Sequence, residues 1–136
     1  MAPSPGKLPS GRLVYDGAAL SIEFCVTWIG SIPAEEWLEQ LPLAIQQKFA
    51  ALFARMGDTG KIWNKRKFKH LTEMDQIFEF KVETDRILCF FIAGRRLILT
   101  QGFRNAGNKT PKREIERAEM YKQEFEERRK HEKTIR

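Results

Sequence analysis

Three strand-like segments follow one another between residues 76 and 100, and only short connections separate them. Residues 76–82 and 95–100 are rich in apolar and β-branched side chains, and residues 86–93 are almost wholly apolar. Strands joined by such short connections pair antiparallel, because a parallel crossover needs a dozen or more residues. The sequence therefore predicts an antiparallel meander with residues 86–93 as its central strand.

Two helices are predicted before this meander. The first begins at about Pro33, which suits a first helical turn, and Glu35 and Glu36 favour the positive end of the helix dipole. Pro42 interrupts the pattern, and a second amphipathic helix follows and is predicted to end at Gly57. Its apolar residues at helical spacing are Ile45, Phe49, Leu52, Phe53 and Met56.

A third helix is predicted after the meander. Thr110 is expected to cap it, and Pro111 suits its first position. Its apolar stripe is narrow and consists of Ile115, Ala118, Tyr121 and Phe125. The chain is almost wholly charged over residues 126–136, which are predicted to be a charged tail that frays or protrudes.

The remaining segments complete a one-domain organisation. Residues 1–12 are rich in Pro, Gly and Ser and are predicted to be a flexible leader, whereas residues 13–15 and 20–29 predict one or two strands. The domain then spans residues 13–125. The element order β-α-α-β-β-β-α predicts an α+β fold, with a small antiparallel sheet, an N-terminal helical hairpin and a C-terminal helix.

The positive charge of the chain is concentrated in two segments. The 136 residues carry a formal net charge of +6. Residues 61–71 contain five Lys or Arg and residues 103–113 contain four, and neither segment contains Asp or Glu. A concentrated positive charge favours an acidic partner such as nucleic acid.

Several functional classes lack their sequence signals. The chain has no Gly-x-Ser-x-Gly, His-Glu-x-x-His, phosphate loop or dinucleotide fingerprint. Cys25 and Cys89 lie in apolar stretches without metal-ligand spacing, so neither a metal nor a cofactor is expected. No apolar run has the ~18 residues of a membrane span, and residues 1–12 do not form a secretory signal. We therefore expect a cytoplasmic protein that does not contact a membrane.

The first basic segment mixes aromatic rings with cations. Trp63 and Phe68 lie among Lys65, Arg66, Lys67 and Lys69. Such a mixture is typical of nucleic-acid sites, because bases stack on rings while phosphates pair with cations. The alternative is a solvated loop whose two aromatic side chains are buried in the core.

Further cations lie on or beside the strands of the meander. Lys81 and Arg86 interrupt apolar segments, and Arg104 and Lys109 are predicted in the loop after the last strand, whereas Arg95 and Arg96 are interpreted as turn residues. If the three strands pair in order, Lys81, Arg86 and Arg104 are expected to converge near Lys67 and Lys69.

Four segments together resemble the RelE superfamily of toxins, and within it the phage-derived HigB-like branch. They are residues 77–82, 86–91, 96–103 and 109–118. The last two are the most specific, with Gly-Phe, then Lys-Thr-Pro, then Glu-Ile-Glu-Arg-Ala. The resemblance covers roughly residues 20–125 and implies a RelE-like toxin domain.

The resemblance implies a toxin that cleaves mRNA on translating ribosomes without a metal or cofactor. RNA supplies its own nucleophile, the 2′-OH, so the enzyme needs a base, for which Lys67, Lys69 and His70 are the candidates, and a cation such as Arg86 that stabilises the phosphorane. The implied catalytic residues are Lys67, Lys69, His70, Lys81, Arg86 and Arg104. Further RNA contacts are expected from Lys61, Lys65, Arg66, Lys109, Lys112 and Arg113.

The implied partner is a cognate antitoxin, often a helix-turn-helix protein, so DNA is contacted only indirectly through it. The sequence departs from the family pattern at three positions. Lys81 stands where Arg is usual, Gln101 where His is frequent, and Asn105 where a basic residue is frequent. Because Lys lacks the planar fork of Arg, Lys81 contacts a phosphate as a point charge. A non-catalytic RNA- or antitoxin-binding module that kept the fold is the alternative function.

Overall fold

A computed structural model describes residues 10–72 and 76–135. Most of the predicted leader, residues 1–9, lies outside this range, as does Arg136. The strands within it are β1 (Gly11–Asp16), β2 (Ser21–Cys25), β3 (Phe68–Thr72), β4 (Ile77–Val82), β5 (Asp85–Ile92) and β6 (Arg96–Arg104), and the helices are α1 (Pro33–Glu39), α2 (Leu43–Thr59) and α3 (Lys112–Ile135).

The strands form one sheet in the order β1-β2-β6-β5-β4-β3. The predicted α+β class is confirmed, and β4, β5 and β6 form the expected antiparallel meander. The sheet is mixed rather than wholly antiparallel, because β2 pairs with β6 in parallel. The helices between β2 and β6 supply the long connection that a parallel pair requires.

One strand lies outside the predictions. The N-terminal region forms two strands, β1 and β2, where one or two were predicted, and the end of the first basic segment forms β3, where a loop was expected. Phe68 on β3 packs against Phe80 on β4, with ring centroids 4.8 Å apart. This contact and the ladder with β4 explain why a segment rich in Lys and Arg is extended rather than irregular.

Each face of the sheet is covered by helices. One face packs on α1 and α2 through a core that includes Phe49, Phe53 and Phe80. The other face packs on α3 through a second core that includes Phe90 and Phe125. We call these two sides of the sheet the α1/α2 face and the α3 face. Alternation along each strand decides which side chain lies on which face.

Gly57 does not end α2, contrary to the sequence prediction. It is buried inside the helix, where a Cβ would lie 2.6 Å from the Tyr15 ring. The Gly57 carbonyl accepts the N–H groups of Ala19 and Leu20, both at 2.8 Å. This glycine is thus required for close contact with the β1–β2 connection, and Gly60 ends the helix with a left-handed φ of 77°.

The C-terminal helix also differs from its prediction at both ends. Thr110 does not cap it, because the Thr110 hydroxyl donates instead to the buried Glu79 carboxylate at 2.7 Å. The charged segment expected to fray continues α3 through Ile135. Arg128 within that segment is buried and donates a hydrogen bond to the Val26 carbonyl, which fixes this part of α3 on the sheet. Among the described residues, no helix is long and apolar enough to cross a membrane.

Candidate functional site

A group of cations surrounds one carboxylate on the α3 face of the sheet. Lys69 on β3 is the cross-strand partner of Glu79 on β4, and Lys81 on β4 is the partner of Arg86 on β5. Cross-strand partners share a face, and residues two apart on a strand do so too. Lys69, Lys81, Arg86 and Glu79 therefore lie together, and we call them the cation cluster.

Arg86 is the innermost member of the cation cluster. Its side chain is almost completely buried, and Nε lies 3.9 Å from Oε1 of the equally buried Glu79. Its Nη1 atom donates to the carbonyl oxygens of Glu83 at 2.5 Å and of Asp85 at 3.1 Å. Arg86 therefore holds the β4–β5 turn in place, and its guanidinium is largely enclosed by the protein's own acceptors.

Lys81 is half-buried, and its environment disfavours the charged amine. Burial lowers the pKa of Lys81, the positive charges of Lys69 and Arg86 lower it further, and the Glu79 carboxylate opposes the shift. A lysine with a lowered pKa has a larger neutral fraction near pH 7. Lys81 is thus the member of the cation cluster best suited to accept a proton.

The second basic segment reaches the cation cluster through two contacts. Lys69 Nζ donates to the Asn108 carbonyl at 3.2 Å, and Thr110 donates to Glu79. The same segment also contacts the β4–β5 turn, where the Asn105 N–H donates to the Thr84 carbonyl at 2.8 Å. The two basic segments of the sequence therefore meet in the fold. A cavity of about 390 Å³ at this junction is lined by Lys69, His70, Leu71, Asn108, Lys109, Thr110 and Ile115.

Lys67 lies next to the cation cluster. Its carbonyl accepts the Lys81 N–H at 2.9 Å, and its side chain is exposed. Lys67 also lines a cleft of about 510 Å³ between α2, β4 and the loop before β3. The other lining residues are Lys48, Ala51, Leu52, Asn64, Arg66, Lys81, Val82 and Glu83.

Besides Lys67, two of the six proposed catalytic residues lie outside the cation cluster, and both are on the opposite face of the sheet. The His70 ring stacks on Phe78 at 4.6 Å, so it lies on the α1/α2 face although its residue borders the 390 Å³ cavity. Arg104 is the last residue of β6 rather than a loop residue, and its Nε lies 3.6 Å from Oδ1 of Asp85. Strand alternation places Arg104 on the face opposite Arg86, because its partner Asp85 precedes Arg86 on β5.

The six expected RNA contacts are all exposed side chains: Lys61, Lys65, Arg66, Lys109, Lys112 and Arg113. Lys112 and Arg113 lie in the first turn of α3, at 3.9 Å from Glu116 and 3.8 Å from Glu114 respectively. Such exposed pairs contribute little to stability and leave the cations available to a ligand. Arg95 is a turn residue as expected, whereas Arg96 begins β6.

The two cysteines are free and buried. Burial, reinforced by Glu124, raises the pKa of Cys25 to about 12, and burial raises the pKa of Cys89 well above its usual range. Both thiols are therefore protonated at neutral pH and are poor nucleophiles. Within residues 10–72 and 76–135, no three His, Cys, Asp or Glu side chains are grouped closely enough to hold a metal ion.

The sequence interpretation missed two contributors to the site. Glu79 is the carboxylate of the cation cluster, and the signal for it was strand alternation, which places Glu79 on the same face as Lys81. The Asn108 carbonyl, which accepts from Lys69, had no sequence signal, because a backbone acceptor is available at every residue.

Fold and site define a small α+β domain whose mixed sheet carries a buried Arg–Glu pair flanked by lysines. The model of the phage-derived Gp49-like family (DUF891) matches residues 36–123, and the chain belongs to this family. The family is RelE-like and toxin-like. A comparison with curated proteins gives no match.

Proposed function

We propose that the protein is the toxin of a toxin–antitoxin system and that it cleaves mRNA on the ribosome without a metal. Membership of the Gp49-like family supports the toxin role. The observation that carries the ribonuclease role is the position of Lys81 beside Lys69 and Arg86, where burial and the two neighbouring positive charges lower the pKa of Lys81. A neutral amine surrounded by cations combines a base with a binding site for a phosphate.

In the proposed reaction, neutral Lys81 removes the proton from a ribose 2′-OH. The resulting O2′ attacks the adjacent phosphorus, and Lys67 and Lys69 stabilise the negative charge of the phosphorane. The P–O5′ bond then breaks, and protonated Lys69 gives a proton to the leaving O5′. The products are a 2′,3′-cyclic phosphate and a 5′-hydroxyl end.

Arg86 has a positioning role in this proposal. Its guanidinium is bound to Glu79 and to two backbone carbonyls, so it acts on the substrate only through its charge and through the pKa of Lys81. His70 and Arg104 contribute no chemical step, because both side chains lie on the face of the sheet opposite the cation cluster.

Replacement of Lys81 tests this function. General-base catalysis contributes about 10²–10⁴-fold in rate, so Lys81→Met should abolish growth arrest when the protein is expressed without an antitoxin. Lys81→Arg should also fail, because an arginine remains protonated at neutral pH. Arg95→Asn, in the turn at the other end of β6, is the charge-matched control and should remain toxic.

Mapping of 5′ ends on cellular mRNA supplies the direct measurement. We expect new 5′-hydroxyl ends with the parent chain and with Arg95→Asn, and none with Lys81→Met. A toxic Lys81→Arg variant that still cleaves would refute Lys81 as the base and leave it a charge that stabilises the phosphorane.

The second candidate is a non-catalytic module that binds RNA or an antitoxin. The burial of Arg86 favours it, because the guanidinium is occupied by the protein's own acceptors. This candidate predicts RNA binding or antitoxin binding without new 5′ ends at any expression level. It also predicts that Lys81→Met leaves any toxicity unchanged.

A further inference from the structure

We infer that Trp63 is a stacking platform for an unpaired nucleobase of a single-stranded RNA. The inference rests on the proposed function for the identity of the ligand, and it adds a binding residue that the catalytic scheme does not use. Trp63 is 79% exposed, although it lies in a segment whose neighbouring apolar residues, Ile62 and Phe68, pack in the core.

The loop holds Trp63 outward in an ordered conformation. The Asn64 carbonyl accepts the N–H groups of Lys67 and Phe68 at 2.9 and 3.0 Å, and its side-chain Oδ1 accepts the Arg66 N–H at 2.9 Å. On the other side of Trp63, the Thr59 hydroxyl donates to the Lys61 carbonyl at 2.9 Å. Because these bonds hold the backbone on both sides of Trp63, the loop loses little conformational entropy when a ligand stacks on the ring.

The surroundings of Trp63 favour nucleic acid over a protein partner. Lys61 Nζ lies 5.4 Å from the centre of the Trp63 ring, and exposed Lys65 and Arg66 follow it in the loop. Lysine is depleted in protein–protein interfaces, whereas cations beside an aromatic ring match a base with its flanking phosphates. The next residue, Asn64, lines the 510 Å³ cleft together with Lys67 and Lys81, two residues of the proposed reaction.

Trp28 shows the contrast, since it is also partly exposed but is used within the fold. The Arg128 guanidinium lies 4.9 Å from the centre of the Trp28 ring, and the backbone N–H of Trp28 donates to the Glu124 carboxylate at 2.6 Å. The Trp63 ring has Lys61 beside it, and the Trp63 side chain is far more exposed to solvent than the Trp28 side chain. A stacked ligand must be single-stranded, because the faces of paired bases are covered by their neighbours in a duplex.

Tryptophan fluorescence tests the inference on the intact chain. The probe is a short single-stranded 2′-O-methyl oligoribonucleotide, which cannot be cleaved because its 2′ oxygen is blocked. We expect the probe to quench emission in the parent chain and in Trp28→Phe, and quenching to be lost in Trp63→Phe. Trp63→Ala should weaken binding about tenfold, whereas Trp63→Tyr should restore most of the affinity.

The controls separate this inference from the proposed function. Leu43→Ala, at another exposed apolar side chain, should bind like the parent, and the same sequence in duplex form should not quench. Equal binding by Trp63→Ala and the parent, or equal quenching by the duplex, would overturn the inference. Quenching that depends on Trp63, in a chain that yields no 5′-hydroxyl ends, would uphold stacking and reject the ribonuclease.

Discussion

Two regions of the molecule place cations beside a carboxylate of the sheet, and they differ in how the charges balance. Where β2 meets β6, Arg96 binds Glu23 through two hydrogen bonds of 2.7 and 2.9 Å. In the cation cluster, Lys69, Lys81 and Arg86 surround Glu79, and Arg86 Nε lies 3.9 Å from the Glu79 carboxylate. The first region pairs one cation with one carboxylate, and the second carries an excess of positive charge.

The comparison teaches that charge excess, rather than the presence of Lys or Arg, distinguishes the candidate site. A bidentate Arg–carboxylate pair holds two strands in register and leaves no charge for a ligand. Excess positive charge opposes folding, and it adds to the effect of burial in lowering the pKa of Lys81. Such an arrangement is typical of a site that completes its charge balance with an anionic substrate.

The largest expected effect on stability comes from removing the carboxylate of each region. Glu79→Ala leaves the buried Arg86 charge without its carboxylate, and we expect a loss of about 3 kcal/mol in the free energy of unfolding. Glu23→Ala should lose about 1–2 kcal/mol, because Glu23 and Arg96 are only partly buried. Denaturant unfolding measures both values. A larger loss for Glu23→Ala would reverse the proposed ranking of the two regions.

The pH dependence of cleavage should shift in opposite directions in two variants. In the proposed reaction the active form of Lys81 is the neutral amine, so cleavage activity should rise with pH and level off below the usual pKa of lysine. Lys69→Met removes a charge that lowers the Lys81 pKa, so the midpoint of the rise in activity with pH should move to higher pH. Glu79→Gln removes a charge that raises the Lys81 pKa, so this midpoint should move to lower pH.

Rates measured with ribosomes and mRNA across the alkaline range give these midpoints, independently of the absolute rate. Arg96→Gln, in the balanced region, should lower stability and leave the midpoint unchanged. Midpoints that shift together in Lys69→Met and Glu79→Gln would show that Lys81 is not the titrating group.

Salt dependence of RNA binding should distinguish the exposed cations of the two ends of the sheet. Each phosphate contact with single-stranded RNA contributes about 0.7 to the slope of log affinity against log salt. Arg66→Ala should lower the slope by about that amount. Arg95→Asn should not change it, although it removes the same charge. Equal slopes for both variants would mean that the basic loop before β3 makes no phosphate contact.

The smallest effect concerns Lys81 and stability. The folded pKa of Lys81 is lowered relative to the unfolded chain, so the unfolded chain binds more protons between the folded pKa and about 10.4. The stability of the parent should therefore rise with pH in this window, and Lys81→Gln should lack the rise. At neutral pH the variant should stay within about 0.5 kcal/mol of the parent in thermal or denaturant unfolding.

Much of the fold could be predicted from periodicity. The meander and the three helices follow from apolar spacing, and Pro33 and Pro42 correctly mark where the first two helices begin or are interrupted. Periodicity did not identify β3, because a segment with five cations does not show the alternation of a half-buried strand. It also misassigned Gly57, because a glycine that ends a helix and one that permits close packing look alike in a sequence.

The residue types of the candidate site could be predicted from the sequence, but their arrangement in space could not. Residue types and family resemblance selected Lys69, Lys81 and Arg86 among the candidates, and the structure brings these three together. Adjacent residues of a strand lie on opposite faces of the sheet. His70 follows Lys69 on β3, and Arg104 pairs with Asp85, which precedes Arg86 on β5, so both lie on the face opposite the cation cluster.

The sequence by itself determined that this chain forms an α+β domain with positive charge in two segments and apolar strands between them. These properties depend on local spacing and on counts of residue types. Only the tertiary structure decided that the two basic segments meet at Lys69 and Asn108, that Arg86 is enclosed, and that Trp63 is held out in solvent. Each of these depends on register and on contacts between distant segments, because side-chain burial and the balance of charge around a carboxylate are set by neighbours in space.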